Sequence, residues 1–210
     1  MAKPLFPMSN SLLSPEELDV LQDRRFMPLK FSASQKIEML LASLRSELVH
    51  ALANPASPAP EALRKSGGKI SRGENYHTYA YRVLDCPGIF QKEDIFAFRT
   101  LVLWGHHIGF HLLMTGDFKA RYQARVLERR AQLDGDFFLS REEIPWQWFR
   151  NETEQLPLKS LSDTAMAEMF AARKFLKIST YLPLDRYAEI PTQGAAIWQA
   201  WESILLKKGE

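Results

Sequence analysis

Ile95-Phe96-Ala97-Phe98-Arg99-Thr100-Leu101-Val102-Leu103-Trp104-Gly105-His106-His107-Ile108-Gly109-Phe110-His111-Leu112-Leu113-Met114-Thr115 is the stretch that decides the fold. It holds two strand-length runs, Ile95 to Trp104 and His107 to Thr115, both rich in aliphatic and aromatic residues. Gly105-His106 lies between them, and a glycine at a short break between two such runs reads as a β-hairpin. With a two-residue turn, Thr100 pairs with His111 and Trp104 with His107. One face then carries Ile95, Ala97, Leu101, Leu103, Ile108, Phe110, Leu112 and Met114, with Arg99 as its odd member. The other carries Phe96, Phe98, Thr100, Val102, Trp104, His107, Gly109, His111 and Leu113.

A third strand is expected from Thr78 to Cys86, ended by the turn residues Asp85-Cys86-Pro87-Gly88. Helical signals flank these strands. Ser14-Pro15-Glu16-Glu17 is a helix start, with a capping serine, a proline at the first helical position and acids at the positive end of the dipole. That helix is expected over 14–25. Ile37, Leu40, Leu41, Leu44, Leu48 and Leu52 form one apolar stripe, which predicts a helix over 34–53 capped by Ser34. Further helices are expected over 117–133, 162–178 and 192–207. Strands clustered in the middle and flanked by helices predict an α+β fold: an antiparallel sheet built on the 95–115 hairpin, with helices packed mainly on one face.

The chain has 210 residues, 46% of them apolar, which suits one globular domain spanning 1–210 with residues 1–13 as a loose N-terminal arm. Lys and Arg number 27 and Asp and Glu 25, so the net charge of +2 provides no general attraction to nucleic acid or to an anionic membrane. Cys86 is the one cysteine, so no intrachain disulfide can form, and with no signal-peptide pattern the expected location is cytoplasmic. The apolar stretch 95–114 is interrupted by Arg99 and three histidines, which excludes a membrane span there.

Candidate chemistry concentrates on the hairpin. His107 and His111 share a strand face about 13 Å apart at about 3.4 Å per residue, too far to hold one metal ion; they are expected to bind no metal, and to act as general acid or base if the protein is an enzyme. Arg99 cannot lose its charge, so it must reach solvent, an anionic ligand or a carboxylate such as Asp94, Asp85 or Glu74, the internal ion pair being the favoured outcome. The segment Lys65-Ser66-Gly67-Gly68-Lys69-Ile70-Ser71-Arg72-Gly73-Glu74-Asn75-Tyr76 reads as a mobile basic loop that lacks the P-loop spacing. Its end, Glu74, Asn75 and Tyr76, is dense in hydrogen-bonding groups.

Three readings follow. The first is a small-molecule or anion-binding protein. Thr100, Trp104, His107 and His111 line its pocket, the Gly67–His77 loop roofs it, and Arg99, Arg82, Glu74, Asn75 and Tyr76 contribute to binding. The second is an enzyme using His107 or His111 on the same face, with Arg99 or Arg82 fixing an anionic substrate. The third is an interaction module dimerising through the aromatic segment 144–149 and the C-terminal helix. No motif names a cofactor, and the arginine-rich helix 117–133 has too many nearby acids to signal nucleic-acid binding.

Overall fold

The structure is a computed structural model and describes residues 12–206. The expected arm 1–13 therefore lies almost wholly outside the described residues. The chain divides into two compact units, 1–36 and 37–210. In the first, α1 (Pro15–Gln22) starts in a full capping box: Ser14 Oγ accepts from the Glu17 amide, and Glu17 accepts from the Ser14 amide. The next helix, α2 (Phe26–Ala53), begins earlier than Ser34 predicts and runs across the unit boundary. Pro28 does not block it because it lies in the first turn, where amides have no intrahelical partner. Ser34 is thus inside the helix rather than at its cap.

The second unit is α+β. The short α3 (Glu61–Arg64) leads into β1 (Lys69–Tyr76), β2 (Tyr79–Phe90), β3 (Ile95–Leu103) and β4 (His107–Thr115). Then come α4 (Gly116–Arg129), β5 (Phe138–Ser140), β6 (Gln155–Pro157), α5 (Asp163–Ala172), β7 (Phe175–Leu182) and α6 (Ile190–Leu205). The seven strands form one sheet in the order β1-β2-β3-β4-β7-β5-β6, every pair antiparallel.

Three local expectations are corrected. The basic loop 65–76 is largely strand β1, an edge strand whose mostly polar residues, none of them buried, conceal its pairing with β2. The helix expected over 162–178 stops at Ala172, and Phe175-Leu176-Lys177-Ile178-Ser179-Thr180-Tyr181-Leu182 becomes an inner strand. The hairpin itself is slipped by one residue. Leu103, not Trp104, pairs with His107, and Arg99, not Thr100, pairs with His111. The turn is three residues long: the His106 amide donates to the Leu103 carbonyl at 3.1 Å, with Gly105 at φ +73° in the third turn position.

A one-residue slip exchanges the faces of one strand relative to the other. Phe96, Phe98, Thr100 and Val102 therefore share a face with Ile108, Phe110, Leu112 and Met114. This face meets α2 through Leu41, Leu44 and Leu48, α4 through Tyr122 and Val126, α5 through Met166 and Phe170, and α6 through Trp198, Trp201 and Ile204. Among the described residues of the second unit, the helices of the core pack on this side. Arg99, Leu101 and Leu103 share the opposite face with His107, Gly109 and His111, so the polar groups of the hairpin collect where no helix packs.

Candidate functional site

The helix-free face is covered by residues 141–151, which cross it as a strap. Trp148 plugs into a small apolar cluster with Val83, Leu101 and Leu103, flanked by Tyr76, Tyr81 and Phe149. The strap is tied down at several points. The Trp148 amide donates to Tyr76 Oη at 2.7 Å, Gln155 Nε2 donates to the Phe149 carbonyl at 3.1 Å, and Lys177 donates to the Gln147 carbonyl.

Beneath it lies a buried polar network. Lys177 is 0% exposed and pairs with Glu142 at 2.8 Å, and Glu142 also accepts from Ser140 Oγ at 2.9 Å. Burial lowers the Lys177 pKa against the opposing pull of Glu142. His111 is 0% exposed, and its Nδ1 lies 2.8 Å from Ser179 Oγ, its partner across β4 and β7. Burial, reinforced by Lys177, holds His111 well below its ordinary pKa, so the ring is neutral. Its Nε2 leans over Gly109, where a Cβ would approach to 2.4 Å, so only glycine leaves room for the imidazole. Trp148 stacks among these groups, 4.6 Å from the Arg99 guanidinium, 4.8 Å from Lys177 Nζ and 5.1 Å from the His111 ring.

Both arginines expected to anchor a ligand have carboxylate partners. Arg99 grips Asp85 with two hydrogen bonds of 2.6 and 2.9 Å, directly across β3 and β2. Arg82 is buried on the helix side between Glu38 at 2.8 Å and Glu74 at 3.1 Å. Asn75 accepts from the Thr78 amide and shapes the β1–β2 turn, in which His77 and Thr78 both have positive φ. Tyr76 holds the strap. Thr100 lies in the helix-side core, 0% exposed, and Trp104 sits in the hairpin turn, so neither joins the two histidines. The Gly67–His77 segment does not roof the face; the strap does.

The face opens at one end, where the strap finishes. A cleft of about 500 Å³ is lined by His106, His107, Phe149, Arg150, Tyr181, Leu182 and Pro183. Phe149 stands between Tyr76 and His106 at 5.1 and 4.8 Å, and His107 lies edge-on to Tyr181 at 4.7 Å. Arg150 is half exposed, lies over the Tyr181 ring at 5.8 Å, and reaches Glu152 only at 4.0 Å. Burial brings His107 down to about 4, with His106 acting in the same direction, so it is neutral at physiological pH. Burial pushes the Tyr181 hydroxyl up to about 12, and that hydroxyl donates to Gln155 at 2.6 Å. Among the described residues, His107 Nε2 has no hydrogen-bond partner although the residue is 8% exposed.

Arg150, Tyr181 and Phe149 were not singled out from the sequence. Phe149 was seen only as part of an aromatic loop, and Tyr181 followed a segment taken for the end of a helix. Among the described residues no three His, Cys, Asp or Glu side chains come together to hold a metal, and no helix is long and apolar enough to cross a membrane. Comparison with protein-family models, curated proteins and solved structures gives no match.

Proposed function

We propose that this protein binds a small anionic molecule with a flat ring in the cleft between Arg150 and His107. The carrying observation is His107, a buried residue lining an open cleft, whose Nε2 has no hydrogen-bond partner among the described residues. Leaving such an atom unsatisfied costs about 1–3 kcal/mol, which a ligand hydrogen bond would recover. The surroundings match that chemistry. Phe149, Tyr181 and His106 offer ring faces and edges, and Arg150 supplies the positive charge for a carboxylate or phosphate.

Binding fits this site better than acid–base catalysis. A histidine held near 4 is a weak base at neutral pH, His111 is sealed beneath Trp148, and Tyr181 holds its proton tightly. The charge that attracts the ligand belongs to arginine, so affinity for an aromatic carboxylate should hold between about pH 7.5 and 9.

A thermal-shift screen tests the reading, using inorganic phosphate, acetate, aromatic carboxylates and nucleoside monophosphates, with uncharged amides as controls. A ligand at about 100 times its Kd adds about 2.7 kcal/mol of stability. Ring-bearing anions should raise the melting temperature, their amides should not, and Arg150→Gln should abolish the shift. No shift with any ring-bearing anion, or a shift that survives Arg150→Gln, contradicts the reading.

A further inference from the structure

The segment 12–36 exposes an unusual amount of apolar surface. Leu12, Leu13, Leu18, Val20 and Leu21 are all exposed, and so are Phe26, Met27, Leu29 and Phe31 in the first turns of α2. α1 has no buried residue at all. A helix start that is apolar on several sides and left in water needs a cover, because patches of this kind on soluble proteins mark contact sites.

The charges of the same segment are segregated. Residues 16–23 carry Glu16, Glu17, Asp19 and Asp23 and no base; residues 24–36 carry Arg24, Arg25, Lys30 and Lys36 and no acid. Four negative charges are followed by four positive ones, with the change of sign between Asp23 and Arg24. The contact of Asp23 with Arg25 at 3.4 Å is local to that junction and exposed.

We infer that this segment pairs antiparallel with the same segment of a second copy, making a two-fold homodimer. A two-fold axis at the 23/24 junction lays the acidic run of one copy on the basic run of the other, twice, while the exposed leucines, Phe26, Met27 and Phe31 cover one another. A parallel arrangement would set like charges together and is disfavoured. The pattern is thus self-complementary in one orientation, which singles out a second copy rather than an unrelated partner. This surface differs from the aromatic segment 144–149, whose Trp148 and Phe149 are committed to the strap.

The test is sedimentation equilibrium of the full chain, with two charge-reversed variants. Glu16→Lys/Asp19→Lys neutralises the acidic run, leaves the segment net basic and spares the Glu17 cap; Arg24→Glu/Lys30→Glu neutralises the basic run and leaves the segment net acidic. The wild type should be dimeric in the micromolar range, and each variant alone should dimerise at least about tenfold more weakly. An equimolar mixture of the two should recover a heterodimer, because the intact basic run of one variant then meets the intact acidic run of the other, an attraction that neither variant has with itself. Raising salt from 0.1 to 1 M shortens the screening length from about 10 to about 3 Å and should weaken the wild-type dimer. Far-UV circular dichroism identifies a variant that has lost its helices, in which case Leu21→Ser/Phe31→Ser replaces it and should also yield monomer. A wild type that stays monomeric at 100 times that concentration overturns the inference. So do reversed variants as dimeric as wild type, or a mixture that does not recover.

Discussion

Lys177 and Glu142 form the most demanding interaction beneath the strap, and removing one partner should be far worse than removing both. Lys177 is wholly buried and Glu142 nearly so, with 2.8 Å between their charged atoms. Lys177→Met leaves the Glu142 carboxylate with Ser140 Oγ at 2.9 Å and Gln155 Nε2 at 3.5 Å, neither of which carries a compensating charge. Breaking a buried pair in this way costs about 3–5 kcal/mol, whereas replacing both ends with apolar groups of similar volume is often close to neutral. Lys177→Met/Glu142→Met should therefore be more stable than the sum of its single variants by at least about 2 kcal/mol. Equilibrium urea denaturation measures all four proteins.

The pH dependence supplies a second reading, with Glu142→Gln as an added variant. The folded Lys177 pKa lies below its ordinary value, so the unfolded chain binds more protons and stability rises with pH up to about 10.5. Glu142→Gln removes the group that holds the proton on Lys177, which lowers the folded pKa further. The deficit of Glu142→Gln relative to wild type should then be smaller at pH 9.5 than at pH 7. Single variants costing under about 1 kcal/mol and adding normally in the double would refute the buried pair.

Three further outcomes follow from the same geometry. Gly109→Ala places a Cβ about where His111 Nε2 lies and should cost about 1–3 kcal/mol, seen as a lower melting temperature; an unchanged value would show that the ring does not occupy that space. His107 is about 4 in the fold against about 6.5 unfolded, so the unfolded chain binds the extra proton as pH falls through that window. Stability should drop there by up to about 1.4 kcal/mol per pH unit for this residue, and denaturation curves of His107→Gln should show a shallower acid limb. The Cys86 thiol is 0% exposed and pushed up to about 12, so an aromatic disulfide reagent at pH 8 should label it only after denaturant is added; rapid labelling of the native protein would place it at the surface.

The class of fold was legible because the hairpin residues alternate and cluster in mid-chain while the flanking segments repeat at helical spacing. The register was not. Trp104-Gly105-His106-His107 accommodates a two- or a three-residue turn with equal ease in one dimension, and the one-residue difference decides whether Thr100 or Arg99 faces His111. Asp85 as the partner of Arg99 was among the pairings the sequence allowed, because a guanidinium on an apolar strand must find a carboxylate nearby. Lys177, Ser179 and Tyr181 were hidden because Ser162-Asp163 starts a true helix, and nothing local announces that it ends at Ala172 and that a strand follows. The strap escaped notice for a tertiary reason: the fixing points of Trp148 come from Tyr76 and Lys177, distant in sequence and brought together only by the sheet.

The central claim, that the cleft at His107 and Arg150 takes a small ring-bearing anion, is tested most directly by ¹⁵N imidazole NMR at pH 7 during titration with the best anion from the thermal screen. His107 Nε2 should move as it gains a partner, while His111, sealed under Trp148 and bonded to Ser179, should stay where it is. A saturating titration that leaves His107 unmoved, or moves His111 as far, would place the ligand elsewhere and contradict the account.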